Sequence, residues 1–313
     1  MSHPSMLAWQ VHEFGPADVM KLERVLRPDP GPGEVLVKVA AAGVGPWDAW
    51  IRAGKSAVDQ PLPLTPGSDL SGQIVALGAG VSGLRAGDQV YGVTNPRFVG
   101  AYAEYAVASA AMIARTPASL TGIEAASVPV VAVTAWQALF DHAKLEAGQT
   151  VVIHGAAGNV GAYAVQFARR AGVKIVATAA AADFPFVRKL GANSVIDYTS
   201  RRFEEEIREA DAVIDLVGAD IQTRSFQVLR RGGKLISAVS APDQRLAERY
   251  GVHAAFFLVD VSTQQLTNIA SLLDRGELTV HVGAVLPLAE AREAHLMLEH
   301  LRPWPKGKIV LAV

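Results

Sequence analysis

Seven consecutive residues, Gly155-Ala156-Ala157-Gly158-Asn159-Val160-Gly161, carry the strongest chemical signal in this chain. They stand between a β-branched run, Thr150 to His154, and a stretch of helical spacing, Val160 to Ala171, that stops at Gly172. A glycine turn between a strand and a helix suits the pyrophosphate of a dinucleotide. Gly158 lets the backbone approach the phosphates, the amides of Asn159 and Val160 point at them from a helix N-terminus, and Gly161 lets helix and strand pack closely. Gly155, Ala157, Gly158, Asn159, Val160 and Gly161 are therefore expected to contact cofactor. The competing reading is a tight turn in an α/β protein that binds no nucleotide.

The tip of the next strand reads the cofactor's ribose. An NAD enzyme usually places Asp or Glu there. Here the segment is Thr178-Ala179-Ala180-Ala181-Ala182, and the first acid is Asp183 at the start of the following helix. A 2′-phosphate meets no repulsion at Thr178 and Ala179, so NADPH is expected ahead of NADH. Arg188 and Lys189 are near in sequence, either close to that phosphate or on a solvated helix face. Val217-Gly218 and Ala238-Val239 close two later strands, where ligands of parallel sheets sit. Phe256 to Val259, with Phe257 and Leu258 at its centre, either walls the nicotinamide or forms a buried or dimer-edge strand.

These groups need a scaffold, and the rest of the chain supplies its pattern. At 313 residues, and about 150 residues per domain, two domains are expected. Half the residues are hydrophobic and 19% are charged, which excludes a disordered chain. With 29 Lys and Arg against 30 Asp and Glu, a nucleic-acid binder is disfavoured. There is no cysteine, so disulfides, Cys-ligated zinc and a thiolate nucleophile are excluded. Met1 to Gln10 does not read as a secretory signal. Val128 to Phe140 is too short for a membrane span. A cytoplasmic protein follows as the expectation.

Residues 1 to 124 alternate short apolar runs with Gly and Pro turns: Glu34–Ala40, Gly72–Leu77, Asp88–Val93 and Gly100–Val107 are expected strands. A partly closed antiparallel barrel fits that spacing. From residue 125 strand and helix alternate. After the glycine loop come strands Val173–Thr178, Ser194–Asp197, Ala212–Val217, Lys234–Val239 and Val252–Val259. Helices are expected over Phe184–Leu190, Arg202–Glu209 and Ile221–Leu229, the last closed by Gly232-Gly233. That order implies a doubly wound parallel sheet over 125–262. The tail, helix Gln264–Arg275, strand Val282–Leu286, helix Leu288–Leu298 and strand Lys308–Val313, resembles the first third and is expected to rejoin it as 263–313. The eight histidines show no metal spacing; His154 reads as structural, and Glu204-Glu205-Glu206 as a solvated helix face.

The sequence resembles the medium-chain dehydrogenase/reductase superfamily, and within it the zinc-free quinone oxidoreductase, ζ-crystallin-like branch. The residues that carry this are Pro30-Gly31-Pro32-Gly33-Glu34-Val35-Leu36-Val37, Pro66-Gly67-Ser68-Asp69-Leu70-Ser71-Gly72, Gly87-Asp88-Gln89-Val90, Gly100-Ala101-Tyr102-Ala103-Glu104-Tyr105, Thr134-Ala135-Trp136-Gln137-Ala138-Leu139, the glycine loop and Lys306-Gly307-Lys308-Ile309-Val310. The resemblance implies a GroES-like catalytic domain, a Rossmann domain and an active site in the cleft between them. Zinc-dependent relatives carry a catalytic Cys in the region Val44–Asp48 and Gly-His-Glu where this chain has Gly67-Ser68-Asp69. No metal is therefore expected. The implied reaction is hydride transfer from NADPH to a quinone or an α,β-unsaturated carbonyl.

Within the resemblance, Asp48, Trp50 and Thr134 are the catalytic-site candidates. Asp48 is either a polar group near nicotinamide or substrate, or the N-cap of a short helix, Ala49–Arg52. Trp47 and Trp50 either stack on a planar acceptor or fill core. Thr134 matches a position close to the carboxamide, and Tyr198 one near the adenosine ribose. Lys308 either reaches the cofactor or is an exposed tail lysine. Gly45 stands where relatives carry Asn, and Trp50 where they often carry Tyr. The family implies a homodimer joined through the Rossmann domain. The alternatives are a nucleotide-sensing or interaction protein with little catalysis, and an enoyl-thioester reductase.

Overall fold

In the computed structural model, residues 4–303 and 305–313 are described; the first three residues of the Met1–Gln10 segment lie outside that set. The chain divides into two units, one running up to Val130 and resuming at Val261–Val313, the other Val131–Asp260. The second unit is thus an insertion in the first.

The first unit opens with β1 (Ser5–Val11) and β2 (Met20–Leu26), an antiparallel pair. Next come β3 (Glu34–Val44), α1 (Pro46–Arg52), β4 (Asp69–Leu77), β5 (Gln89–Val93), β6 (Tyr105–Ser109), β7 (Ile113–Arg115) and α2 (Gly122–Ala126). β3 is the hub: β4 and β6 both pair with it antiparallel, and alternate side chains of its first half enter a core with Leu70, Val90 and Ile113. The expected strand Gly100–Val107 is shorter, because Ala101 and Tyr102 donate their amides to Gly67 and Pro66 instead of joining a ladder.

The second unit carries α3 (Pro129–Trp136), which begins at the boundary and runs into a π-helical turn, Gln137–His142. It continues with β8 (Thr150–Ile153), α4 (Asn159–Arg170), β9 (Lys174–Ala179), α5 (Phe184–Leu190), β10 (Ser194–Asp197), α6 (Phe203–Glu206), β11 (Ala210–Asp215), α7 (Ala219–Ser225), β12 (Leu229–Ser237), α8 (Gln244–Tyr250) and β13 (His253–Phe256). Among the described residues these strands form one parallel sheet in the order β10-β9-β8-β11-β12-β13. That is a doubly wound order with its switch point between β8 and β11. α4 is capped by Gly158, buries every residue from Gly161 to Ala168, and ends with Arg169 and Arg170 in its last turn, where cations suit the helix dipole.

Three expectations change here. The helix Arg202–Glu209 contracts to Phe203–Glu206, since Ile207 leaves it with extended backbone. Gly232-Gly233 does not close a helix: both lie inside β12, beside a register shift in the β11–β12 ladder, and Gly232 has φ 73°. The last strand ends at Phe256, so Phe257 and Leu258 lie beyond it.

The returning segment supplies α9 (Thr263–Asp274), β14 (Val282–Pro287), α10 (Ala291–Leu298) and β15 (Lys308–Ala312). β15 pairs antiparallel with β3 and parallel with β14, which completes the first unit's large sheet.

Candidate active site

Parallel strands end on one edge, and in the second unit that edge gathers the candidate cofactor residues. The glycine loop follows β8, Thr178 and Ala179 end β9, and Tyr198 follows β10. Val217-Gly218 follow β11, Ala238-Val239 follow β12, and Phe257-Leu258 follow β13. Gly155 has φ 71°, a left-handed conformation that favours glycine. A Cβ at Gly161 would lie 2.2 Å from the Gly155 oxygen and 2.7 Å from Ala156 Cα. Only glycine lets α4 approach the loop so closely. The amides of Asn159, Val160 and Gly161 occupy the first turn of a twelve-residue helix, where no intrahelical acceptor reaches them. The cradle therefore fits a pyrophosphate.

Two neighbouring strand ends are held by a network that sequence reasoning missed. Asp215, fully buried at the end of β11, accepts the amides of Val217 at 3.0 Å and Gly218 at 2.8 Å through Oδ1. Its Oδ2 accepts from Gln222 Nε2 at 2.9 Å and Ser237 Oγ at 3.0 Å. Ser237 Oγ in turn accepts the amides of Val239 and Ser240. One carboxylate thus fixes the loops after β11 and β12. The available signal was an acid closing an apolar strand and a serine closing the next.

His154 is buried between Thr178 Oγ1 and Ser225 Oγ, each 3.0 Å away. Ser225 donates its proton to the Ile221 carbonyl, so its oxygen accepts from the imidazole. Burial pushes the imidazole down to about 4, so it is a neutral structural group. Tyr198, Val217 and Leu258 are exposed. Phe257 is buried against the His142 ring, 4.3 Å between centroids. Arg188 and Lys189 lie on an exposed helix face, the Arg188 guanidinium over Phe184. Thr134 is buried in α3.

The remaining candidates belong to the first unit, around α1. Asp48 is not the N-cap; Gly45 is, and Asp48 is the third helical residue. Pro46 opens the helix, where its missing N–H costs nothing. Asp48 is fully buried. Its Oδ2 accepts the Gly45 amide at 2.8 Å and the Tyr102 hydroxyl at 3.1 Å. Its Oδ1 has no hydrogen-bond partner among the described residues. Burial pushes this carboxyl up to about 7, against the pull of the Gly45 amide and the Lys308 charge.

Lys308 is neither an exposed tail residue nor a free cation. It is 2% exposed, and its Nζ lies 2.9 Å from Asp69 Oδ2. Asp69 Oδ1 accepts the Val130 amide at 3.1 Å. Burial pushes the Asp69 carboxyl up, and the Lys308 ammonium pulls it back. The ammonium also sits 4.3 Å from the centre of the Trp47 ring. Trp47 donates its indole N–H to Ser68 Oγ at 2.9 Å, while Trp50 is 47% exposed. Arg52 is also buried: it binds the part-exposed Glu299, the Gly15 carbonyl and His295 Nδ1, and burial pushes His295 down to about 3. Lys308 and Asp69 are 239 residues apart, and Arg52 and His295 are 243, so no local pattern joins them.

Comparisons with known proteins bear on the family and the fold. Residues 31–118 match the alcohol dehydrogenase GroES-like domain, and residues 190–311 the family described as zinc-binding dehydrogenase. The chain is 36% identical over 78% of its length to a 2-methylene-furan-3-one reductase of Solanum lycopersicum, covering 66% of that protein. It is 34% identical over 75% of its length to the chloroplastic NADPH-dependent alkenal/one oxidoreductase of Arabidopsis thaliana, covering 63% of it. The chain thus spans just under two thirds of each of these two. Human quinone oxidoreductase is 31% identical over 98% of this chain and 97% of its own. Among solved structures, the quinone oxidoreductase of Coxiella burnetii superposes with a TM-score of 0.92 at 33% identity, covering 99% of this chain and all of that one. A mycobacterial protein solved in complex with NADPH gives 0.87 at 29% identity, again over 99% and 100%. With the GroES-like segment, the doubly wound sheet and full-length similarity to human quinone oxidoreductase in hand, the chain belongs to the medium-chain dehydrogenase/reductase superfamily, in its quinone oxidoreductase branch.

Proposed function

We propose that this protein is a metal-independent reductase that uses NADPH to reduce a quinone or an α,β-unsaturated carbonyl. The observation that carries the reading is the cradle at the switch point of the sheet: Gly155, Gly158 and Gly161 shape it, and no acid stands at the tip of β9. The relatives named for alkenal, furanone and quinone reduction support the acceptor class.

NADPH supplies, when bound, a hydride from its nicotinamide. The chain's own part is to hold and exclude. The first-turn amides of α4 receive the pyrophosphate, and Ala179 and Ala180 leave room for the 2′-phosphate. The Asp215 network keeps the loops after β11 and β12 rigid, which supports precise placement of a bound dinucleotide. The acceptor carbon of a quinone or enone is already electrophilic. It takes the hydride with its electron pair, and negative charge develops on the carbonyl oxygen. One proton from solvent completes the reduced acceptor. This chemistry requires no Lewis acid. Support for metal independence comes from the donor set: segments 44–48 and 67–69 hold neither Cys nor His where zinc-dependent relatives carry them, and the chain has no cysteine.

The same reading makes the protein cytoplasmic and homodimeric. No helix among the described residues is long and apolar enough to cross a membrane. The edge strand β13 leaves His253, Ala255 and Phe256 exposed and unpaired on one side, which supports association there. The test is NADPH against NADH, by binding calorimetry and by turnover with a quinone and enone panel on chelator-treated protein. Tighter NADPH binding with turnover is expected. Tighter NADH binding overturns the cofactor choice, and NADPH binding without turnover favours a sensing role.

A further inference from the structure

Gly45 is the informative residue beside the two tryptophans of α1. Its φ of −133° is ordinary extended backbone, so the conformation does not call for glycine. Space does. A Cβ at Gly45 would lie 2.4 Å from two carbons of the Trp47 ring and 2.6 Å from a third. The glycine makes room for an indole, and the indole is held firmly there. Its N–H is bonded to buried Ser68, the Lys308 ammonium lies over its ring, and its edge packs on the first unit's core. Trp47 as a residue is partly exposed. Trp50, three residues on and so on the same face of α1, is 47% exposed.

A locked, partly exposed indole is a particular kind of binding surface. It is flat and polarisable, and its rotamer is fixed before a ligand arrives, so stacking on it costs little ordering entropy. The Trp47–Ser68 bond also joins segments 44–48 and 67–69, the two in which the family resemblance implies that zinc-dependent relatives carry a catalytic Cys and His. The aromatic face therefore stands where such a relative does its chemistry.

We propose that Trp47 is a specificity-determining residue, on which a planar ring acceptor stacks, and that Gly45 positions it. The ring selects fused-ring quinones over open-chain enones. This rests on the reductase reading above and narrows its substrate class.

The experiment measures kcat/KM with NADPH for 1,4-naphthoquinone and for pent-3-en-2-one, and reads their ratio. Trp47→Leu is expected to lower the ratio by about 3- to 10-fold, the range of an aromatic pair. Gly45→Ala keeps the tryptophan but forces the ring to move, and is expected to lower the ratio in the same direction. Trp47→Phe keeps a flat ring but loses the Ser68 bond that fixes it, and is expected to lower the ratio by less than Trp47→Leu does. Gly45→Ala also stands in if Trp47→Leu does not fold, which thermal unfolding reports. An unchanged ratio in Trp47→Leu or Gly45→Ala overturns the proposal, as does an equal fall in Trp47→Phe. A wild-type protein that reduces neither acceptor overturns the reductase reading and this proposal with it.

Discussion

Replacing Asp48 with Asn is expected to remove a pH-dependent penalty from the folded state. Burial holds the Asp48 carboxyl at about 7, where its ordinary value is 3.8. Between those limits the folded protein keeps a proton that the unfolded chain has released. Raising the pH through that window therefore lowers stability, and above about 7 the whole penalty is present. The gap from 3.8 to about 7 corresponds to about 4 kcal/mol. Asn cannot ionise, and its carbonyl still accepts the Gly45 amide. Its NH2 group falls where Oδ1 has no partner, a buried-donor cost of about 1–3 kcal/mol that does not vary with pH. Asp48→Asn is thus expected to be no more stable than wild type at pH 5 and to gain on it by about 3 kcal/mol between pH 5 and pH 8.5.

The assay is urea unfolding of both proteins from pH 5 to 8.5, read as the difference between them. Subtraction matters because other buried groups have the opposite slope. His154, at about 4, and His295, at about 3, stay neutral in the fold while the unfolded chain protonates them below 6.5. They remove stability as the pH falls from 6.5, so the wild-type curve alone blends both trends. A difference that stays constant from pH 5 to 8.5 refutes the argument: it means that Asp48 is ionised in the fold at neutral pH.

Two further outcomes follow from the geometry. Gly161→Ala places a Cβ 2.2 Å from the Gly155 oxygen, and backbone must separate to admit it. A fall of about 1–3 kcal/mol in stability and at least tenfold weaker NADPH binding are expected, checked by urea unfolding and calorimetry. Lys308→Met strands the Asp69 carboxylate in the core at a cost of about 3–5 kcal/mol. Adding Asp69→Asn is expected to recover much of that loss, and a double variant no more stable than Lys308→Met refutes the pairing as its cause.

The sequence was legible where physics acts over short distances. Residues 150–197 show it best: β-branched runs, a glycine loop and C-terminal glycines at 172 and 191 set the boundaries of β8, α4, β9, α5 and β10 to within a residue or so. The glycine turn was legible because Gly155 and Gly161 each answer a local demand. β1 and β2 went unread, since a pair that leaves Leu22 and Leu26 exposed carries a weak apolar signal. The acceptor side resisted for a different reason. Whether Lys308 is a tail residue or a buried ion depends on β15 returning to β3, which sets it beside Asp69 on β4. Nothing within ten residues of either one states that. Likewise, Gly45 in sequence is a missing side chain, and only the placement of the Trp47 ring shows that the space is taken. Losses read from a sequence are losses of one residue type. The fold decides whether another residue has moved into the vacancy, and here an indole held by a serine and a lysine has done so.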